Sequence, residues 1–145
     1  MQTLRSRPAI IAIIIILALT PLVLAQGAQT FKARLSPMPV DATTQAGTTG
    51  VGAVTAVLTG TKLSISGTFS GLQTPATIAQ IHVGPKGISG PAVLDVTVTK
   101  ATSGTLQGEL MLTPTQVDHL KRSRLYIQVH SEKAPGGNLR GWLLP

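Results

Sequence analysis

Beyond residue 29, apolar and polar positions alternate with period two along much of the chain, the pattern of strands that turn one face inward. In Thr30–Leu35, Phe31, Ala33 and Leu35 share a face. In Lys62–Ser70, Leu63, Ile65, Gly67 and Phe69 lie opposite Ser64, Ser66 and Thr68. Gly60-Thr61 joins that segment to Ala53–Thr59 as a two-residue hairpin connection. Further strands are predicted at Ile78–Val83, Ala92–Val98, Thr105–Leu112, Leu125–His130 and Leu139–Leu144, about eight in all. One segment breaks the period. Thr113 can cap a helix with Pro114 at its first position and Gln116 at its third. That predicts a short helix over 114–121, with Val117 and Leu120 inward and Lys121 and Arg122 near its C-terminus. Residues 36–51 read as a long loop. The fold class that follows is all-β, an antiparallel β-sandwich with Greek-key connections and one short helix.

The N-terminus follows a different rule. Arg5 and Arg7 precede an apolar run over residues 9–24, which ends in Pro21 and Val23-Leu24-Ala25. A basic start, an apolar middle and small residues before a cut define a secretory signal peptide, here residues 1–25. The competing assignment is an uncleaved anchor, the one route by which this chain would meet a membrane. The run is shorter than the ~20 residues that span a bilayer, which favours cleavage. The expected product is a single domain, residues 26–145, secreted or held in the periplasm or at the cell surface after Sec-type export.

Composition sharpens this picture. The chain has 145 residues, net charge +7, no Cys and 3% aromatic residues. Without Cys there can be no disulfide framework, thiolate metal site, thiol nucleophile or lipid-modified N-terminal cysteine. Residues 26–145 hold ten basic and five acidic side chains, net +5.

A short echo stands out. Gln80-Ile81-His82 and Gln128-Val129-His130 each close a predicted strand, with Gln and His on one face. A Gly/Pro-rich stretch follows each, Gly84–Pro91 and Ala134–Asn138. These landmarks belong to a longer series: Phe31-Lys32-Ala33-Arg34-Leu35, Gly71-Leu72, Gln80-Ile81-His82-Val83-Gly84, Gly90-Pro91, Gly104-Thr105-Leu106-Gln107-Gly108, Tyr126-Ile127-Gln128-Val129-His130 and Pro135-Gly136-Gly137-Asn138-Leu139-Arg140-Gly141. In order and spacing they resemble the CHRD domain, named after chordin and common in bacterial secreted proteins. The resemblance implies an immunoglobulin-like β-sandwich. The chain departs from the family pattern at three places. Gln80 replaces the first His of a His-x-His pair, Gln128 replaces an Asn, and Ser36-Pro37-Met38-Pro39 lacks an acidic residue.

Two chemistries compete for the echo. His82 and His130 on adjacent strand ends could share a copper or zinc ion, with weak redox chemistry like that of copper–zinc superoxide dismutases. Against this, a stable site normally takes three or four ligands. The alternative is a hydrogen-bonded cluster of Gln80, His82, Gln128 and His130 that braces the two Gly/Pro stretches. No Gly-x-Ser-x-Gly elbow and no phosphate-binding glycine spacing occurs, and Asp41, Asp95, Glu109, Asp118 and Glu132 are scattered. Nucleic acid is excluded by the lack of aromatics among the basic residues. The sequence therefore points to a non-enzymatic binding module for an extracytoplasmic protein or an anionic polymer. Its expected surface is Gln80, His82, Lys86, Gln128, His130, Lys133 and Arg140, with metal through His82 and His130 as the alternative and no cofactor otherwise.

Overall fold

A computed structural model describes residues 27–145; the signal peptide expected over 1–25 lies outside the described residues. Eight antiparallel strands form in chain order: β1 (Gln29–Pro37), β2 (Val51–Thr59), β3 (Lys62–Ser70), β4 (Ala76–Val83), β5 (Ala92–Val98), β6 (Gly104–Met111), β7 (Leu125–Ser131) and β8 (Ala134–Trp142). A 3-10 turn, Gln45–Gly47, lies between β1 and β2, and helix α1, Pro114–Lys121, lies between β6 and β7.

The strands close into a barrel in the order β1-β2-β3-β6-β5-β4-β7-β8. This corrects the expected sandwich. Two strands change partners along their length and stitch the wall shut. β1 pairs with β2 from Gln29 to Leu35, then with β8 at Ser36 and Pro37. β5 pairs with β4 through Leu94, Asp95 and Val96, then with β6 at Thr97 and Val98. Period-two alternation is the same in a sandwich and a barrel, so the pattern fixes the inward face of each strand without fixing where the sheet ends. The β3–β4 and β6–β7 connections skip over neighbours in the wall, and α1 sits in the second.

Most predicted elements recur with shifted ends. The hairpin across Gly60-Thr61 pairs Thr59 with Lys62. The expected loop at 36–51 is shortened at both ends by β1 and β2. Asp41 begins its turn by accepting bonds from the Thr43 and Thr44 amides and hydroxyls. Those donors favour the carboxylate and hold its pKa at about 2. Helix α1 occupies the predicted residues. The Gln116 amide donates to Thr113 Oγ1 at 3.2 Å, and the Thr113 amide donates to Gln116 Oε1 at 2.9 Å, a complete capping box. The largest shift is in β8, which begins at Ala134 and not at Leu139. Ser131 pairs with Ala134 directly across Glu132-Lys133, so the Gly/Pro stretch expected as a loop is part of the strand.

The interior takes the inward-facing positions. Phe31, Leu35, Val54, Leu63, Ile65, Phe69, Ile81, Leu106, Ile127, Val129, Leu139 and Leu143 all lie in one buried apolar cluster. Leu120 of α1 is buried in it as well. Ile127 has no exposed surface and occupies the middle of β7. Ile127→Ala is expected to cost about 2–5 kcal/mol in chemical denaturation, from lost transfer energy plus a cavity. Ile78→Ala, at a position where the side chain is exposed, should stay within about 0.5 kcal/mol.

Candidate functional site

All seven residues of β7 are buried. Leu125, Ile127 and Val129 enter the core, so Tyr126, Gln128 and His130 must lie on the outer face. Two segments cover them: the loop 84–91 between β4 and β5, and Pro135–Gly137 at the start of β8. Any polar atom covered this way needs a partner.

Gln128, 4% exposed, uses its whole hydrogen-bonding capacity. Its Nε2 donates to Gly136 O at 3.1 Å and lies 3.3 Å from His130 Nε2. Its Oε1 accepts from Arg140 Nε at 3.1 Å and Nη2 at 2.9 Å. The arginine can only donate, which fixes the orientation of the amide and makes His130 Nε2 the acceptor. His130 Nδ1 then donates to Pro135 O at 2.8 Å.

His82, opposite Tyr126 in the β4–β7 ladder, repeats the arrangement under the other segment. Its Nδ1 lies 2.9 Å from Gly90 O and donates to it. The Tyr126 hydroxyl also grips Gly90, donating to its carbonyl at 3.1 Å and accepting from its amide at 2.9 Å. A Cβ at Gly90 would stand 1.7 Å from Val83 O, so only glycine lets the loop approach this closely. At Gly137 the backbone has φ +125°, and a Cβ would stand 2.2 Å from Met38 Sδ and 2.7 Å from Gln128 Nε2. One glycine thus serves each covering segment.

Aromatic rings fill the face between these bonds. The His82 ring stacks on Tyr126 at 5.0 Å and lies 6.2 Å from the His130 ring, centroid to centroid. Tyr126 meets Trp142 at 4.9 Å. The Arg140 guanidinium sits 4.8 Å from the Tyr126 centroid and 5.8 Å from that of Trp142. Trp142 Nε1 donates to Gly84 O at 3.0 Å, and Arg140 Nη2 reaches Ser89 Oγ at 3.0 Å.

The structure brings together His82, Gln128, His130 and Arg140. Gln80 shares the face but turns to β5, where its Nε2 donates to Asp95 Oδ1 at 2.9 Å. Lys86 and Lys133 are exposed and stand at opposite ends of the face. Lys86 lies beyond the Leu125 end of β7 and Lys133 in the turn beyond Ser131, about 20 Å away at ~3.3 Å per residue. His119, on α1, is half-buried, and its Nδ1 has no partner among the described residues. The acceptors of Arg140 are the side chains of Gln128 and Ser89. Tyr126 is the contributor most easily missed, although it shares the alternation of Gln128 and His130. Nothing in the sequence marks Ser89.

Among the described residues, no group of three or more His, Cys, Asp and Glu side chains converges on one point. A four-coordinate zinc site is therefore not formed by these side chains. The arrangement is a braced face on a closed antiparallel barrel, with cations at its margin.

The chain matches the CHRD domain over residues 31–143, from Phe31 near the start of β1 to the Leu143 that follows β8. It belongs to the CHRD domain family. Neither the curated proteins nor the solved structures contain a significant match.

The two members of the echo should differ in energetic weight. Gln128→Ala strands the Arg140, His130 and Gly136 groups and should cost about 1–3 kcal/mol in denaturant unfolding. Gln80→Ala removes one exposed bond and should change stability by less than about 0.5 kcal/mol.

Proposed function

We propose that this protein is an exported, non-enzymatic binding module whose cationic surface meets an anionic extracytoplasmic protein or polymer. The observation that carries this reading is a shortage of counter-ions. Among the ten Lys and Arg side chains of the described residues, Lys62 and Arg122 make ion pairs, with Glu109 and Asp118. Asp41 is engaged in its own turn and Asp95 with Gln80. The remaining cations, Lys86, Lys133 and Arg140 among them, have no carboxylate partner. A surface of this kind draws anions from solution and accelerates encounter. The signal-like N-terminus supports a place of action outside the cytoplasm. The CHRD assignment agrees with an extracellular binding role.

Retention on an anionic matrix should weaken as salt rises, since exposed charges are screened within about 8–10 Å at ordinary ionic strength. Lys86→Gln, Lys133→Gln and Arg140→Gln should each reduce retention. Lys86 and Lys133 are far enough apart for their effects to add. An elution position that ignores salt would overturn the reading.

A second reading, copper or zinc between His82 and His130, draws on one observation. Both rings are pinned through Nδ1, and His82 Nε2 is buried with no partner. Metal-binding imidazoles are commonly oriented by such bonds from the other ring nitrogen. The Gln128 amide already occupies His130 Nε2, and a third ligand is lacking, so the first reading is the stronger. The tag-free protein should therefore purify without stoichiometric metal and melt at the same temperature with or without copper or zinc. Stoichiometric metal that is lost in His82→Ala and in His130→Ala would reverse this ranking.

A further inference from the structure

We propose that Arg140, Ser89 and Ile88 form a binding site for a carboxylate on an acidic peptide segment, with Arg140 and Ser89 supplying the donors. The proposal rests on the anionic-partner reading above and gives it one site and one chemistry.

Arg140 differs from the other unpaired cations. It is half-buried, stacked against two aromatic rings and held by two bonds that its Nε and Nη2 donate to a single acceptor, Gln128 Oε1. Gln128 is itself fixed by Gly136 and His130. A surface lysine would lose rotamer freedom on binding, whereas this guanidinium has already lost it on folding. No carboxylate among the described residues lies within ion-pair distance of it.

Its donors divide cleanly. Nε and Nη2 serve Gln128 and Ser89, while Nη1 has no acceptor among the described residues. Nη1 is not fully buried, so solvent reaches it. The Ser89 hydroxyl accepts from Nη2 and keeps its own proton free. Nη1–H and Ser89 Oγ–H are therefore two adjacent, uncommitted donors, which matches the two oxygens of a carboxylate. Lys86 lies three residues upstream in the same loop and adds attraction at longer range.

The neighbouring residue favours a peptide over a sugar acid. Ile88 is 60% exposed, on the loop that carries Ser89. An apolar side chain next to a carboxylate is common in peptides and absent from a polyuronate. A phosphate would present three oxygens to a site with two free donors.

Trp142 is the only tryptophan of the chain, and Arg140 lies over its ring. Its fluorescence reports directly on the guanidinium. The test titrates the exported protein with an N-acetylated peptide of alternating glutamate and leucine. The matched glutamine–leucine peptide, trigalacturonate and inorganic phosphate serve as comparisons. The expected result is a saturable change in Trp142 emission with the glutamate peptide and none with the glutamine peptide. Arg140→Lys, which keeps the charge and loses the fork, should weaken binding about tenfold or more. Ser89→Ala, at an exposed loop position, should weaken it severalfold without altering the melting temperature, which covers the case in which Arg140 variants unfold. Ile88→Ser should weaken the peptide alone. Equal binding of trigalacturonate with no effect of Ile88→Ser, or tighter binding of phosphate, would overturn the assignment. Salt-sensitive retention on an anionic matrix with a silent Trp142 would overturn this site and leave the broader reading standing. Loss of both signals would overturn both.

Discussion

A strand buried on both faces must satisfy every polar group it carries, and β7 is such a strand. Its inner face is apolar and needs only packing. Its outer face holds Tyr126, Gln128 and His130, which lose water when 84–91 and 135–137 lie over them. An unsatisfied buried polar atom costs about 1–3 kcal/mol, so the covering segments must bring acceptors. Backbone carbonyls of Gly90, Pro135 and Gly136 do this. The two Gly/Pro-rich segments are therefore partners of β7, and their glycines are the condition for carbonyls to come so close.

The same requirement shapes the barrel wall. Val129 pairs with Leu139, and two residues later Ser131 pairs with Ala134. The mismatch is a bulge that lifts Pro135 and Gly136 out of the ladder and turns their carbonyls toward His130 and Gln128. Met38 and Asn138 fasten the neighbouring stretch: the Met38 amide donates to Asn138 O at 3.0 Å, and Asn138 Nδ2 donates to Thr49 O at 2.7 Å. The β1–β8 seam that closes the barrel runs beside this bulge, at Ser36 and Pro37. Closure removes exposed strand edges, the usual liability of an antiparallel sheet. For a chain without Cys and with few aromatics, continuous backbone pairing stands in for the cross-links that other small domains often use.

Strand existence and facing were legible because alternation is local: Phe31, Ala33 and Leu35, or Ile81 against Gln80 and His82, can be assigned without knowing any neighbour. Helix α1 was legible for the same reason, since its signal lies within Thr113–Gln116. Closure was not, because it depends on β1 pairing a second time, with β8 far away in sequence, and on β5 changing partners part-way along its length. The site was half legible. The repeated Gln-x-His marked the right face, yet Gln80 and Gln128 have unlike fates because Asp95 lies opposite one and Arg140 opposite the other. Lys86 and Lys133 looked like one cluster because each follows a His-bearing strand. Antiparallel pairing of β4 and β7 sends those strand ends in opposite directions.

Of the residues on this face, Gln128 has every donor and acceptor committed, as do His130 and the Tyr126 hydroxyl. Arg140, with the Ser89 it bonds, belongs to the network and still has donors open to solvent. Apart from the buried, unpartnered His82 Nε2, a ligand acting on the braced face must engage the guanidinium at Nη1 or displace a bond that holds a covering segment. The first route adds a bond without removing one, and binding there would also stabilise the fold by linkage. The second would expose buried polar groups at the cost given above. The energetics favour recognition at the rim of the face, through an arginine whose position the strand beneath it has already set.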